Sequence, residues 1–260
     1  MTADSIEYAI ISLPFTINRM QLFDVESRIT NIAKGKLSEN FFINFCRVNE
    51  IPINTDSCQT QFHLPDKRDF ILGREEWDIK NNFLHYDQPI LPVNSYLDLP
   101  ALIPHRGRWD QWTKRKECLH HPETESVCFL FSFMKGWNSK KPFMSIGLSK
   151  EQVSFLRGLC KSYKGKYEPY DENWFWKKMS AKGRGKPFQM NLLFHPELLI
   201  CSYADEKHFT LFDDVYPKTF LKGVFKTRIN NRSVKIGDLP SFLSLYPGLV
   251  ENMESGSILV

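Results

Sequence analysis

Apolar positions along this chain change period several times, and each change marks a predicted element. Leu22, Val25 and Ile29 recur at helical spacing, as do Leu37, Phe41, Phe42 and Phe45. Met20 to Cys46 therefore reads as helix in two parts broken near Gly35, with Gly35 or Ser38 opening the second. Residues 6–17 read as a short strand or arm, and Thr55 to Phe62 as a strand. The run VCFLFSFM, Val127 to Met134, is continuously apolar, as expected of a central strand buried on both faces. Ser149 caps a helix over LSKEQVSFLRGLCKSYKG, with Val153, Leu156, Leu159 and Cys160 inward and Lys150, Arg157, Lys161 and Lys164 outward. Beyond Asn191, the runs LLFHPELLICSY, HFTLFDD and VFKTRINNRSVKI read as strands that complete the sheet or build a subdomain. The fold class expected is mixed α/β (α+β), with helices packed on a central sheet.

One stretch carries more than pattern. Asp69-Phe70-Ile71-Leu72 and Glu75-Glu76-Trp77-Asp78-Ile79 flank Gly73-Arg74, and glycine in the first loop position suits a type II′ hairpin turn. That loop pairs Leu72 with Glu75, Ile71 with Glu76, Phe70 with Trp77, and Asp69 with Asp78. Strand alternation places Glu76, Asp78 and Lys80 on one face and Trp77 and Ile79 on the other. Directly opposed residues have Cβ atoms about 4.5–5.5 Å apart. Two carboxylates at that spacing repel unless a proton or a cation lies between them, and a hard divalent cation held by their oxygens polarises phosphate and activates water.

Asp69 followed by an apolar strand, then Asp78-Ile79-Lys80 on the next, resembles the signature of the PD-(D/E)XK nuclease superfamily, which includes many type II restriction endonucleases. The resemblance covers residues 30–135. It implies a restriction-endonuclease-like core in which Asp69 and Asp78 hold Mg²⁺, with Mn²⁺ as a substitute, and Lys80 positions the attacking water. Gly35-Lys36-x-x-Glu39 resembles the family's helix acid, which adds Glu39 to the catalytic set; the alternative is a glutamate that favours the helix dipole. A literal Pro65-Asp66 makes Asp66 the alternative first carboxylate. The resemblance further implies duplex DNA as substrate, a homodimer and a prokaryotic, cytoplasmic setting. Another nuclease of the superfamily, acting in repair, transposition or defence, and a non-catalytic nucleic-acid binder are the alternatives.

Charge sharpens this picture. The formal net charge is +4, but residues 135–186 hold 13 Lys and Arg against Glu151, Glu168, Asp171 and Glu172, a local balance of +9 that leaves −5 elsewhere. Residues 161–190 read as a flexible basic loop, with Lys177, Lys178, Lys182, Arg184 and Lys186 as phosphate-reaching groups. Arg106 and Arg108, in the proline-broken segment Leu97 to Trp112 with His105, Trp109 and Trp112, are further DNA-contact candidates. The chain 1–260 reads as a single nuclease domain, with a catalytic core over 19–135 and a basic DNA-binding part over 136–260. No apolar run approaches the ~20 residues that span a bilayer, and the six cysteines form no Cys-x-x-Cys pair, so reduced cytoplasmic thiols are expected. Cys118, His120, His121 and Cys128 match no standard zinc spacing, and His85 reads as a satisfied or exposed histidine.

Overall fold

The computed structural model describes residues 1–18, 22–64, 68–84, 96–105, 110–116, 122–138, 141–220 and 225–248. Asp66, His85, Arg106, Arg108, Cys118, His120 and His121 lie outside them. Helices α1 (Thr2–Ser12) and α2 (Val25–Val48) precede strands β1 (Phe70–Leu72), β2 (Glu75–Leu84), β3 (Pro100–Pro104) and β4 (Ser126–Lys135). Strand β5 (Met144–Gly147), helices α3 (Lys150–Ser162) and α4 (Glu172–Lys182), and strands β6 (Gln189–Leu192), β7 (Glu197–Ala204), β8 (Asp213–Val215) and β9 (Asn231–Lys235) follow. The chain divides into two compact units, each assembled from three segments: residues 1–40, 59–66 and 141–196, and residues 41–58, 67–140 and 197–260.

The first unit is largely helical. Its α1 replaces the strand or arm expected over residues 6–17: Ile6, Ala9, Ile10 and Leu13 are all buried, and that spacing is one helical face, hidden in the sequence within a nearly continuous apolar run. Nor does α2 break at Gly35. Val25, Ile29, Ala33 and Leu37 form a buried stripe that runs past the glycine, and burial of that stripe outweighs the ~1 kcal/mol a helical glycine costs relative to alanine. Ser149 begins α3 with a reciprocal capping box, its hydroxyl accepting from the Gln152 N–H while the Gln152 side chain accepts from the Ser149 N–H. The basic stretch expected to be a flexible loop is instead built structure: Asp171 caps α4 by accepting from the Trp174 N–H, and β6 then pairs antiparallel with β5.

Within this unit Lys34 is only 6% exposed, with its ammonium 5.8 Å from the centroid of the Phe143 ring. Burial pulls its pKa from 10.5 down to about 8. A group that holds its proton more weakly folded than unfolded lowers stability in full below pH 8, and stability recovers as pH rises from about 8 toward 10.5. Lys34→Met is accordingly expected to stabilise the protein by about 3 kcal/mol at pH 7. Urea unfolding of variant and wild type should show this difference shrinking as pH approaches 10.

The second unit holds a mixed four-stranded sheet in the order β1-β2-β4-β7, with β2 parallel to β4 and the outer pairs antiparallel. Strand β4 is central and buried on both faces, as its apolar run predicts. Val127, Phe129, Phe131 and Phe133 enter one core with Leu99, Ile103 and Phe209, while Cys128 and Leu130 enter the other with Phe42, Phe70, Trp77 and Phe242. Beside it lies an antiparallel sheet in the order β8-β9-β3. No strand forms over Thr55 to Phe62; a 3₁₀ turn at Asp56–Cys58 stands there, and only Asn54 bridges to Ile71. The described cysteines are free, and no described helix is long and apolar enough to cross a membrane.

Candidate active site on the β1–β2 hairpin

The hairpin adopts the predicted register, with Phe70 opposite Trp77, Ile71 opposite Glu76 and Leu72 opposite Glu75. Gly73 takes φ +61° while Arg74 does not enter the positive-φ region, the combination a type II′ turn requires. The ladder stops one pair short of the expected Asp69–Asp78 pairing. The Asp69 N–H donates to the Trp77 carbonyl at 2.9 Å, and its carboxylate Oδ2 accepts the Ile79 N–H at 2.5 Å. A side-chain oxygen thus does what a strand carbonyl would have done. The carboxylate lies against the Asp78–Ile79 peptide.

Along one face of β2 run Glu76, Asp78 and Lys80, the alternation expected from the sequence. Lys80 makes an ion pair with Asp78, and their side chains are 9% and 14% exposed. The Lys80 ammonium also lies 5.1 Å from the centroid of Phe129, the residue opposite Asp78 on β4. Glu76 is fully buried; Thr124 donates to its Oε1 at 2.8 Å and the Arg68 guanidinium stands 3.4 Å from Oε2. Charged groups this deep persist only with opposite charges beside them, so the face carries two ion pairs, Arg68–Glu76 and Asp78–Lys80.

Cys58 is close enough to feel these carboxylates. Burial first, then the charges of Asp69 and Glu76, push its thiol up to about 11, which keeps it neutral at physiological pH. Among the described residues no three His, Cys, Asp or Glu side chains form a metal-holding group.

The structure pairs Asp78 with Lys80 and sets the Asp69 carboxylate on the Ile79 N–H, the next residue along β2. Glu39 belongs to the first unit, where it pairs with Lys36 at 2.6 Å. Lys177 and Lys178 are exposed on α4, and Lys186 is exposed beyond it. Lys182 is half-buried, with its ammonium 5.7 Å from the Phe155 ring, and exposed Arg184 holds φ +55° in the turn that follows.

Sequence reasoning missed the partners of Glu76, and it missed a second polar cluster in the same unit. His105 Nδ1 lies 2.8 Å from Asp214 Oδ1, and Arg232 Nε lies 3.4 Å from the same oxygen. The register brings the last two together, since Asp214 pairs with Arg232 across β8 and β9. Only the tryptophan-arginine composition around Trp112 hinted at it; Arg115 and Arg232 both stand over that indole, at 4.0 and 5.5 Å. No protein-family model, curated protein or solved structure matches this chain.

Proposed function

We propose that the protein hydrolyses phosphodiester bonds of double-stranded DNA with Mg²⁺, or with Mn²⁺ in its place, as a site-specific PD-(D/E)XK endonuclease of the type II restriction class. The observation that supports this reading is the seating of the Asp69 carboxylate on the Ile79 N–H, next to Asp78 and its ion pair with Lys80. The carboxylates of Asp69 and Asp78 would offer a donor set of hard oxygens. They suit Mg²⁺, which binds through one or two carboxylates, keeps several waters and takes further oxygens from substrate phosphate. When bound, the cation supplies Lewis acidity toward a phosphate oxygen and lowers the pKa of a water.

The chain's own part is positional. The Ile79 N–H fixes the rotamer of Asp69. Asp78 holds the Lys80 ammonium, whose donors orient an attacking water. No step is assigned to Glu39. Lys177, Lys178, Lys182, Arg184 and Lys186 supply phosphate contacts whose strength falls with salt. The reading extends to a cytoplasmic homodimer of a restriction system, one active site per strand, because a palindromic site mirrors a two-fold axis.

Incubation of purified protein with unmethylated phage DNA, with Mg²⁺, Mn²⁺ or EDTA, tests the proposal on a gel. Discrete bands that need the metal are expected. A metal-dependent smear retains phosphodiester hydrolysis and removes sequence specificity, whereas intact DNA in every lane overturns the reading.

A further inference from the structure

The antiparallel pair of β5 and β6 in the first unit ends in an open edge. Among the described residues β6 hydrogen-bonds to β5 alone, and Gln189, Met190, Asn191 and Leu192 are all exposed. Their partners on β5 differ: Met144 and Ile146 are buried, opposite exposed Leu192 and Met190. The face these four residues share is therefore covered over β5 and bare over β6.

The phase of the ladder decides which backbone groups the edge offers. The Leu193 N–H donates to the Phe143 carbonyl at 2.7 Å, one step beyond the Met144–Leu192 pair. Hydrogen-bonded and non-hydrogen-bonded pairs alternate in an antiparallel ladder, so Asn191 directs its N–H and carbonyl to β5, whereas Met190 and Leu192 direct theirs outward. Soluble proteins blunt such an edge with lysine, proline, a bulge or a covering element. Residues 189–193 contain neither lysine nor proline, and the register with β5 has no shift.

We propose that β6 pairs antiparallel with β6 of a second copy of this chain, about a two-fold axis at Asn191, to form one four-stranded sheet. The outward groups lie symmetrically about that residue, so Met190 of each copy exchanges both of its bonds with Leu192 of the other, and every outward donor meets an acceptor. The axis keeps the apolar side chains on one face. Met190, 37% exposed, then covers Leu192 of the other copy, 41% exposed. Residues 187–194 hold no ionisable side chain, so a copy laid against itself opposes no like charges, and a charged peptide gains no ion pair there. So short a strand makes a small interface, and the dimer is reversible, in the micromolar range or weaker. The pairing gives the homodimer of the proposed function a surface, yet it uses none of Asp69, Asp78 or Lys80.

Sedimentation velocity of the full chain, in a dilution series from micromolar to sub-millimolar, tests it with two variants. Met190→Pro removes an outward donor that β5 does not use, a change an edge strand tolerates. Leu192→Lys adds a cation from each copy to the shared face. A dimer whose association weakens at least tenfold in both variants is expected. Asn191→Cys adds a register test, because it sets two thiols across a non-hydrogen-bonded pair, the closer kind of opposition. Oxidised glutathione should then yield a dimer linked through residue 191, found by peptide mapping and missing from the wild type. A wild type that stays monomeric throughout, a dimer that either folded variant leaves intact, or no link through residue 191 overturns the pairing. If Met190→Pro fails to fold, Leu192→Lys and the link at 191 decide it by the same outcomes. No DNA or metal enters the measurement, so the hydrolytic reading and this one fail independently.

Discussion

Lys80→Met is expected to lower Mg²⁺-dependent cleavage by at least about 10²-fold, the loss that misplacing a positioned group can cause. Methionine keeps the length and apolar stem of the side chain, so contact with Phe129 survives while the charge is lost. The substitution also leaves the Asp78 carboxylate, 14% exposed, without the ion pair that Lys80 makes with it. Loss of that partner costs about 1–3 kcal/mol of stability. The two effects separate in the double variant Asp78→Asn/Lys80→Met. Removing both charges restores stability toward wild type, because no ionised group remains to be neutralised, but it cannot restore cleavage. Urea unfolding and initial cleavage rates on the same four proteins form the cycle. If Lys80→Met loses stability but keeps its rate, the pair is a structural ion pair and the proposed chemistry fails.

The hairpin was legible in the sequence because every constraint on it is local. A two-residue loop with glycine first sets the register, and the register sets which side chains share a face. Strand β4 was legible for the same reason, since a run apolar at every position has only a doubly buried place to go. The errors fall where one local pattern admits two structures. Around Ile10 and Ile11 the apolar run fits strand or helix, and only the buried set Ile6, Ala9, Ile10 and Leu13 shows which one formed. Glycine at 35 signals a break, yet the stripe from Val25 to Leu37 carries the helix through it. The basic segment looked unstructured because charge dominated its composition, although Asp171 caps a helix there whose Phe175 and Met179 are buried.

The site itself was half legible. Asp78 and Lys80 follow from strand alternation alone. The position of the Asp69 carboxylate does not, because a side chain that substitutes for a backbone acceptor breaks the ladder rule used to place it. The Thr124–Glu76 bond joins residues 48 apart, and the His105–Asp214 contact joins residues 109 apart. No periodicity carries such pairs; they exist only once the strands have paired.

Glu76→Ala is expected to be the most damaging single change to the hairpin's stability, at about 3–5 kcal/mol. Glu76 is fully buried and its carboxylate faces both the Thr124 hydroxyl and the Arg68 guanidinium. Truncation removes the charge that neutralises Arg68, itself only 11% exposed, and opens a void where the side chain stood. Against a total stability of roughly 5–15 kcal/mol, that loss approaches unfolding. The pair also has a positional consequence. Arg68 immediately precedes Asp69, and Glu76 is two residues before Asp78 on the same face of β2, so this ion pair ties the entry of the hairpin to the strand that carries Asp78 and Lys80. Glu76→Gln keeps the volume and the acceptor for Thr124 while removing the charge. It should therefore retain more stability than Glu76→Ala, and Arg68→Met/Glu76→Met, which removes both charges at similar volume, should recover most of the remainder. Urea unfolding measures the stabilities, and cleavage at a temperature where each variant is folded measures positioning. A Glu76→Ala loss below about 1 kcal/mol, the level of an exposed pair, would show that the Arg68–Glu76 pair does not anchor the hairpin.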